Sequence, residues 1–392
     1  MIYLDNHSTT PLDPAALAAM LPIFGEHFAN AGSVTHAAGR AVAERIDRSI
    51  ANLSAMIGAS DDEVVITSGA TESNNLALLG ACLHPRQTRR KVVAVTTEHK
   101  AILDPLQRLV QQGFEVELVP ILQRPAAEAG LVDMAAMARA IDSDTALVSV
   151  MLANNEIGAI QPLRQIAEHC RSAGCLLHTD ASQAVGRIPV DVDQLDVDLL
   201  SFSAHKFYGP KGVGGLFVRR RERRVRLQAQ IVGGGQQQNF RSGTLNTPGI
   251  VGMEAALAAC LNSLQSDQTR IAHLRDRLFV MLGERCQAMQ LNGPSIQGEY
   301  ADRRLSGNLN CCFYPYEGQS LMLSTPDLAV SSGSACTSAQ PSPSHVLQAL
   351  GLSEEEARSS LRFGIGRFNT LLEIEQAAEW LGNAVSQLRR LT

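Results

Sequence analysis

Only four of the 34 basic residues are lysines, Lys91, Lys100, Lys206 and Lys211, so a reaction needing an amine nucleophile has four places to occur. Lys206 closes the run Ser201-Phe202-Ser203-Ala204-His205-Lys206, which reads as a strand end before a glycine-rich turn. Asp180 closes the strand-like run before it, 26 positions earlier, at the carboxyl edge where open α/β sheets place ligands. A carboxylate there can pair with a cationic ring nitrogen, hold a metal, or cap the following Ala181-Ser182-Gln183. A third segment, Ser68-Gly69-Ala70-Thr71-Glu72-Ser73-Asn74, follows a strand and opens a helix. Free N–H groups and the positive end of the dipole would favour a phosphate there; an ordinary turn capped by Ser or Thr would need no ligand.

A lysine, a carboxylate and a phosphate-binding helix start are the three parts that pyridoxal phosphate requires, as Schiff base, ring-nitrogen partner and phosphate cup. Of the other lysines, Lys91 begins a strand and Lys211 lies in a turn, and both read as solvated. Lys100, beside His99, is the rival, but it falls at a predicted helix start rather than one β unit after Asp180.

The second rare feature is Val330-Ser331-Ser332-Gly333-Ser334-Ala335-Cys336-Thr337-Ser338. Cys336 has no apolar neighbours in sequence to bury it, so it is either an accessible nucleophilic thiol or an inert loop cysteine. Cys82, Cys170, Cys175, Cys260 and Cys286 lie on or beside helical or strand patterns and read as small buried hydrophobes. The adjacent Cys311-Cys312 reads as strand core. Eight cysteines in 392 residues are too sparse for a disulfide scaffold, and without a Cys-x-x-Cys pair no structural zinc is expected.

The elements that must position these groups follow from periodicity. From about residue 40 to 220, short apolar runs alternate with helical patterns, as in β-α units around a mostly parallel sheet covered on both faces. Strands are predicted at 64–67, 91–95, 146–150, 175–178 and 198–202, and helices at 39–56, 99–112, 163–173 and 250–264, with Gly58, Gly113 and Gly174 as stops. One long helix after Pro248-Gly249 is expected to lead into a second region with a strand at 308–313 and a last amphipathic helix around 371–391. The run Arg219-Arg220-Arg221-Glu222-Arg223-Arg224 reads as a solvated turn, with a docking face for an acidic partner as the alternative. The chain exceeds the roughly 250 to 300 residues at which one core stops growing. A net charge of -5 leaves no surplus to neutralise a nucleic acid, and no run is long and apolar enough to span a membrane. With no basic and apolar leader at its start, the protein is expected to be cytoplasmic.

Several runs, taken in order, resemble those of the cysteine desulfurases: Tyr3-Leu4-Asp5-Asn6, Thr67 to Ser73, Thr97-Glu98-His99-Lys100, Asn154 to Gly158, Asp180 to Gln183, Ser203 to Lys206, Arg241-Ser242-Gly243-Thr244 and Ser331 to Ser338. The Ser-Ser-Gly-Ser-Ala-Cys loop resembles the branch that includes the iron-sulfur cluster and nitrogenase-associated enzymes. The resemblance implies a homodimer of pyridoxal phosphate fold-type I, an α/β protein with a mostly parallel seven-stranded sheet in a large domain, residues 15–262. A smaller α+β domain, residues 1–14 and 263–392, would carry the cysteine loop.

The implied reaction converts L-cysteine to L-alanine and leaves a persulfide on Cys336, for iron-sulfur cluster assembly or other thiolation through a sulfur-acceptor protein. Carried over by position, Lys206 would hold pyridoxal 5'-phosphate, Asp180 would pair with its ring nitrogen, and His99 would stack on the ring and assist proton movement. Asn155 and Gln183 would bond near the ring hydroxyl, with Asn155 also facing substrate. Ala70, Thr71, Ser203 and His205 would hold the phosphate, with Thr244 reaching in from the other subunit, and Arg362 would grip the substrate carboxylate. His7-Ser8 and Asn30-Ala31-Gly32-Ser33 depart from the family pattern.

Overall fold

A computed structural model describes residues 1–286, 289–332 and 342–390; the predicted nucleophile Cys336 lies outside the described residues. The chain begins in a two-residue strand, β1 (Ile2–Tyr3). The seven that follow, β2 (Val64–Thr67), β3 (Lys91–Val95), β4 (Glu115–Val119), β5 (Thr145–Ser149), β6 (Leu176–Asp180), β7 (Leu199–Ser203) and β8 (Gly214–Val218), form one sheet in the order β2-β8-β7-β6-β5-β3-β4. Pairing is parallel from β4 through β3, β5 and β6 to β7, and antiparallel on both sides of β8.

Residues alternate between two apolar layers along each strand, as a two-sided sheet demands. Val93 and Val95 join the core under one face, with Val64 and Ile66, while Val92 and Ala94 join the core under the other with Val65. The helix Ala70–Cys82 is buried along nearly its whole length in the second layer. A second four-stranded sheet, with neighbours β12 (Ser331–Ser332), β13 (Ser360–Gly364), β10 (Asn308–Cys312) and β9 (Gln290–Leu291), is antiparallel. Beside it β11 (Leu328–Ala329) pairs in parallel with β1. Ile2 and Leu4 share a core there with the helices Leu264–Arg285 and Leu371–Arg389.

The helix expected at 250–264 is Thr247–Asn262, and a further helix, Leu264–Arg285, follows it after Ser263. Two expectations change. The arginine run is not a solvated turn throughout, because buried carboxylates draw it inward. Arg219 is 3% exposed and pairs with Asp193 at 2.7 Å, Arg221 pairs with buried Glu63 at 2.9 Å, and Arg223 reaches buried Asp198 at 3.2 Å. Lys91 is likewise not solvated; it is buried between Glu117 and Asp142 at 2.9 and 2.8 Å.

His178 binds the middle of the sheet through two serines. Its Nδ1 lies 2.9 Å from Ser149 Oγ on β5 and its Nε2 3.0 Å from Ser201 Oγ on β7, two positions before Asp180. Burial pulls its pKa down to about 4, so the folded protein keeps the ring neutral. Below pH about 6.5 the unfolded chain takes up a proton that the folded chain refuses, and stability falls as pH drops towards 4, by about 3 kcal/mol. Unfolding free energies in urea at pH 7.5 and 5 are expected to show a smaller acid loss for His178→Gln than for the parent. Equal pH dependence in both would contradict this.

Candidate active site

A cavity of about 640 Å³ lies along the edge where the parallel strands end. Its walls come from successive carboxyl ends: Gly69 to Glu72 after β2, His99 after β3, Met151, Ala153 and Asn155 after β5, Asp180, Ser182 and Gln183 at and beyond β6, and Ser203, His205 and Lys206 at and beyond β7. The short strands deliver these side chains to one place because parallel pairing points all their carboxyl ends the same way. Thr244 is exposed and is not among the lining residues of its own chain.

One end of the cavity presents groups able to bind an anion. The helix Ala70–Cys82 begins there after Gly69, whose φ is 146°, and no side chain caps it, contrary to the alternative of a Ser- or Thr-capped turn. Its first-turn N–H groups therefore face the cavity with the positive end of the dipole. That φ favours glycine at position 69, and the strand beside it needs glycine at position 214, where a Cβ would lie 2.7 Å from the Gly69 Cα. Ser203 Oγ stands 3.4 Å from where a Gly69 Cβ would be. His205 Nδ1 meets Thr9 Oγ1 at 3.1 Å, and burial, reinforced by Lys206 and Lys211, lowers its pKa to about 4. The ring is thus a neutral hydrogen-bonding group. Lys211 is solvated as expected, yet it lines the cavity.

At the centre, Asp180 is 8% exposed. Its Oδ1 accepts from the Ser182 N–H at 2.9 Å and its Oδ2 from Asn74 Nδ2 at 2.7 Å. A turn follows rather than the helix that capping would have served. Lys206, one strand over, donates from Nζ to the carbonyls of His7 at 2.7 Å and Ser8 at 2.8 Å. His99 caps the helix Lys100–Gln111, its Nδ1 accepting from the Ala101 N–H at 3.0 Å. With Nδ1 an acceptor, the neutral ring carries its proton on Nε2, and desolvation holds its pKa below the usual value. Next to it the buried Glu98 accepts from the Met151 N–H at 2.7 Å; burial first and Asp180 after it raise its pKa well above the ordinary range.

The amide of Gln183 is held twice by one residue, Oε1 at 2.9 Å from His7 Nδ1 and Nε2 donating to the His7 carbonyl at 2.8 Å. Arg187 approaches the same Nδ1 at 2.8 Å and donates to the carbonyls of Asn6 and Lys206. His7 is buried, and desolvation followed by Arg187 lowers its pKa well below normal. Arg362, 6% exposed, donates from Nη1 to the Asn155 carbonyl at 3.0 Å and from Nη2 to Asp5 Oδ1 at 2.8 Å.

Sequence reasoning singled out Lys206, Asp180, His99, Gln183, Asn155, Arg362 and the helix start, and all of them line this cavity. It assigned no role to Asn74, His7, Arg187 or Asp5. The signal for Asn74 was a polar side chain on a helix face otherwise buried, for His7 the departure at His7-Ser8 and for Asp5 a carboxylate in the first run; Arg187 carried none.

Residues 2–377 match the family described as aminotransferase class-V. The chain is 46% identical over 391 residues to the cysteine desulfurase IscS of Anaeromyxobacter dehalogenans, covering 100% of this chain and 94% of that one. It is 44% identical over 391 residues to the probable mitochondrial cysteine desulfurase of Dictyostelium discoideum, covering 100% of this chain and 84% of the relative. Among solved structures it resembles a NifS-like protein with TM-score 0.88 and 31% identity, over 98% of this chain and 99% of that one. A structure described as SspA in complex with cysteine matches with TM-score 0.80 and 31% identity over 94% and 100% of the two chains.

Proposed function

This chain belongs to the class-V aminotransferase family, among the cysteine desulfurases, and from that membership we propose that it converts L-cysteine to L-alanine with pyridoxal 5'-phosphate, leaving the sulfur as a persulfide on Cys336. The observation that carries the proposal is the convergence of Lys206, Asp180 and an uncapped helix start on one cavity.

The residues fit the cofactor in type and place. The first-turn N–H groups at Ala70 and Thr71, with Ser203 and His205, would hold the phosphate. Asp180, held by two hydrogen-bond donors, would pair with the ring nitrogen. Lys206 would hold the cofactor covalently, His99 would lie against the ring, and Gln183 and Asn155 would hydrogen-bond to its polar edge. Thr244, exposed on its own chain, would complete the phosphate site of a partner subunit in a homodimer.

When bound, pyridoxal phosphate supplies an electron sink for a carbanion at the substrate α carbon. The chain's own groups do the rest. Arg362 fixes the substrate carboxylate, which orients the α C–H towards Lys206. The Lys206 amine would take the α proton, and His99, with its proton on Nε2, would pass a proton on. The Cys336 thiolate would attack the substrate sulfur: the S–S bond forms, the Cβ–S bond breaks with its electron pair left on the carbon skeleton, and protonation at Cβ together with return of the α proton from Lys206 gives alanine.

The sulfur then passes to an acceptor protein for iron-sulfur cluster assembly or another thiolation. We assign residues 15–262 to the cofactor-binding domain and residues 1–14 with 263–392 to the smaller one. Seven free cysteines among the described residues suit a reducing compartment, and we place the enzyme in the cytoplasm. The direct test is formation of alanine from L-cysteine by the purified holoenzyme. Asp180→Asn removes the anion while keeping the side chain's size, and is expected to lower kcat by about 100-fold or more. A kcat within threefold of the parent would contradict the role given to Asp180.

A further inference from the structure

The guanidinium of Arg362 is already committed before any substrate arrives. Its Nη2 has two protons and three acceptors around it: Asp5 Oδ1 at 2.8 Å, Ser8 Oγ at 2.7 Å and Ser331 Oγ at 3.1 Å. Both serines also donate to the same Asp5 oxygen, each at 2.9 Å. Nε, by contrast, is buried and has no hydrogen-bond partner among the described residues. A carboxylate binds arginine most strongly through two parallel N–H groups, and both two-pronged edges of this guanidinium include Nη2. The edge with a vacant position is Nε with Nη2.

We propose that Asp5 is a built-in competitor for the substrate carboxylate at Arg362 and sets the affinity of the site for amino acids. This rests on the reading of Arg362 as the carboxylate anchor. An incoming carboxylate takes the vacant Nε and must displace Asp5 from Nη2, or share Nη2 with it. Two anions at one cation, with side chains 19% and 7% exposed for Asp5 and Arg362, repel each other under little screening. The arrangement weakens L-cysteine and L-alanine alike, since the two share their carboxylate. It thereby favours release of product over retention.

Asp5 comes from the strand-like start of the chain and Arg362 from β13, with Ser331 directly opposite Arg362 on β12. The competition is therefore assembled by tertiary structure.

The test is calorimetric binding of L-alanine to the holoenzyme, alongside KM for L-cysteine, in the parent, Asp5→Asn, Asp5→Ala, Arg362→Gln and Asp5→Asn with Arg362→Gln. Asp5→Asn keeps an oxygen for the two serines, and Asp5→Ala serves if asparagine disturbs the fold. Arg362→Gln is expected to weaken L-alanine. Either Asp5 variant is expected to tighten L-alanine and lower KM by about tenfold, a difference of 1.4 kcal/mol, with the gain absent when Arg362 is also replaced. If Arg362→Gln weakens binding but both Asp5 variants bind L-alanine no tighter than the parent, Asp5 is an orienting partner and the proposal is overturned while the anchor reading stands. If Arg362→Gln leaves binding unchanged, the anchor reading fails and takes the proposal with it.

Discussion

Lys206→Ala is expected to lower alanine formation from L-cysteine by about 10³- to 10⁴-fold, the scale of a positioned acid-base group, and to abolish the visible band of lysine-bound cofactor. No other lysine can substitute. Lys91 is held between Glu117 and Asp142, Lys100 is exposed on the helix that His99 caps, and Lys211 is exposed at the cavity wall. Lys206 alone follows the carboxyl end of the strand beside Asp180. A small primary amine such as ethylamine, able to enter the space the side chain leaves, is expected to restore part of the rate. A variant retaining more than a tenth of parental activity would show that another base removes the α proton.

Cys336→Ser is expected to bring persulfide formation below detection and alanine formation down by at least about 10³-fold, while the cofactor band remains. The described cysteines make poor substitutes because all seven are buried. Burial pushes Cys82 up to about 12 and Cys260 and Cys286 up to about 11, and it raises Cys311 as well. At neutral pH such groups stay thiols, and the thiolate is the nucleophile. Cys175 is held lower by a hydrogen bond from Cys170, but it is 3% exposed and does not line the cavity. A persulfide formed as fast in Cys336→Ser as in the parent would contradict the assignment.

What could be read from the chain was local. Continuous apolar runs such as Val64–Thr67 and Lys91–Val95 marked buried strands, and the Gly174 stop ended the helix Leu163–Ala173 where predicted, in a left-handed conformation. Strand β4 carried no such mark, because it is an edge strand whose Glu115 and Glu117 interrupt the apolar pattern. Pairings between distant positions were invisible. Asn74 and Asp180 are 106 residues apart and Asp5 and Arg362 are 357 apart, so neither periodicity nor motif links them. The arginine run misled for the same reason: its carboxylates Glu63, Asp193 and Asp198 arrive from other segments, and a charge run read alone looks solvated.

The claim at the centre of this account is that one lysine and one cysteine divide the work, Lys206 at the α carbon and Cys336 at sulfur. The most direct measurement is a single turnover of the purified holoenzyme with L-cysteine and no acceptor or reductant, quantifying alanine and mapping persulfide by mass spectrometry. The account predicts one alanine per cofactor-loaded subunit and a matching amount of persulfide confined to Cys336. Alanine without protein-bound sulfur, or persulfide on a different cysteine, would contradict it.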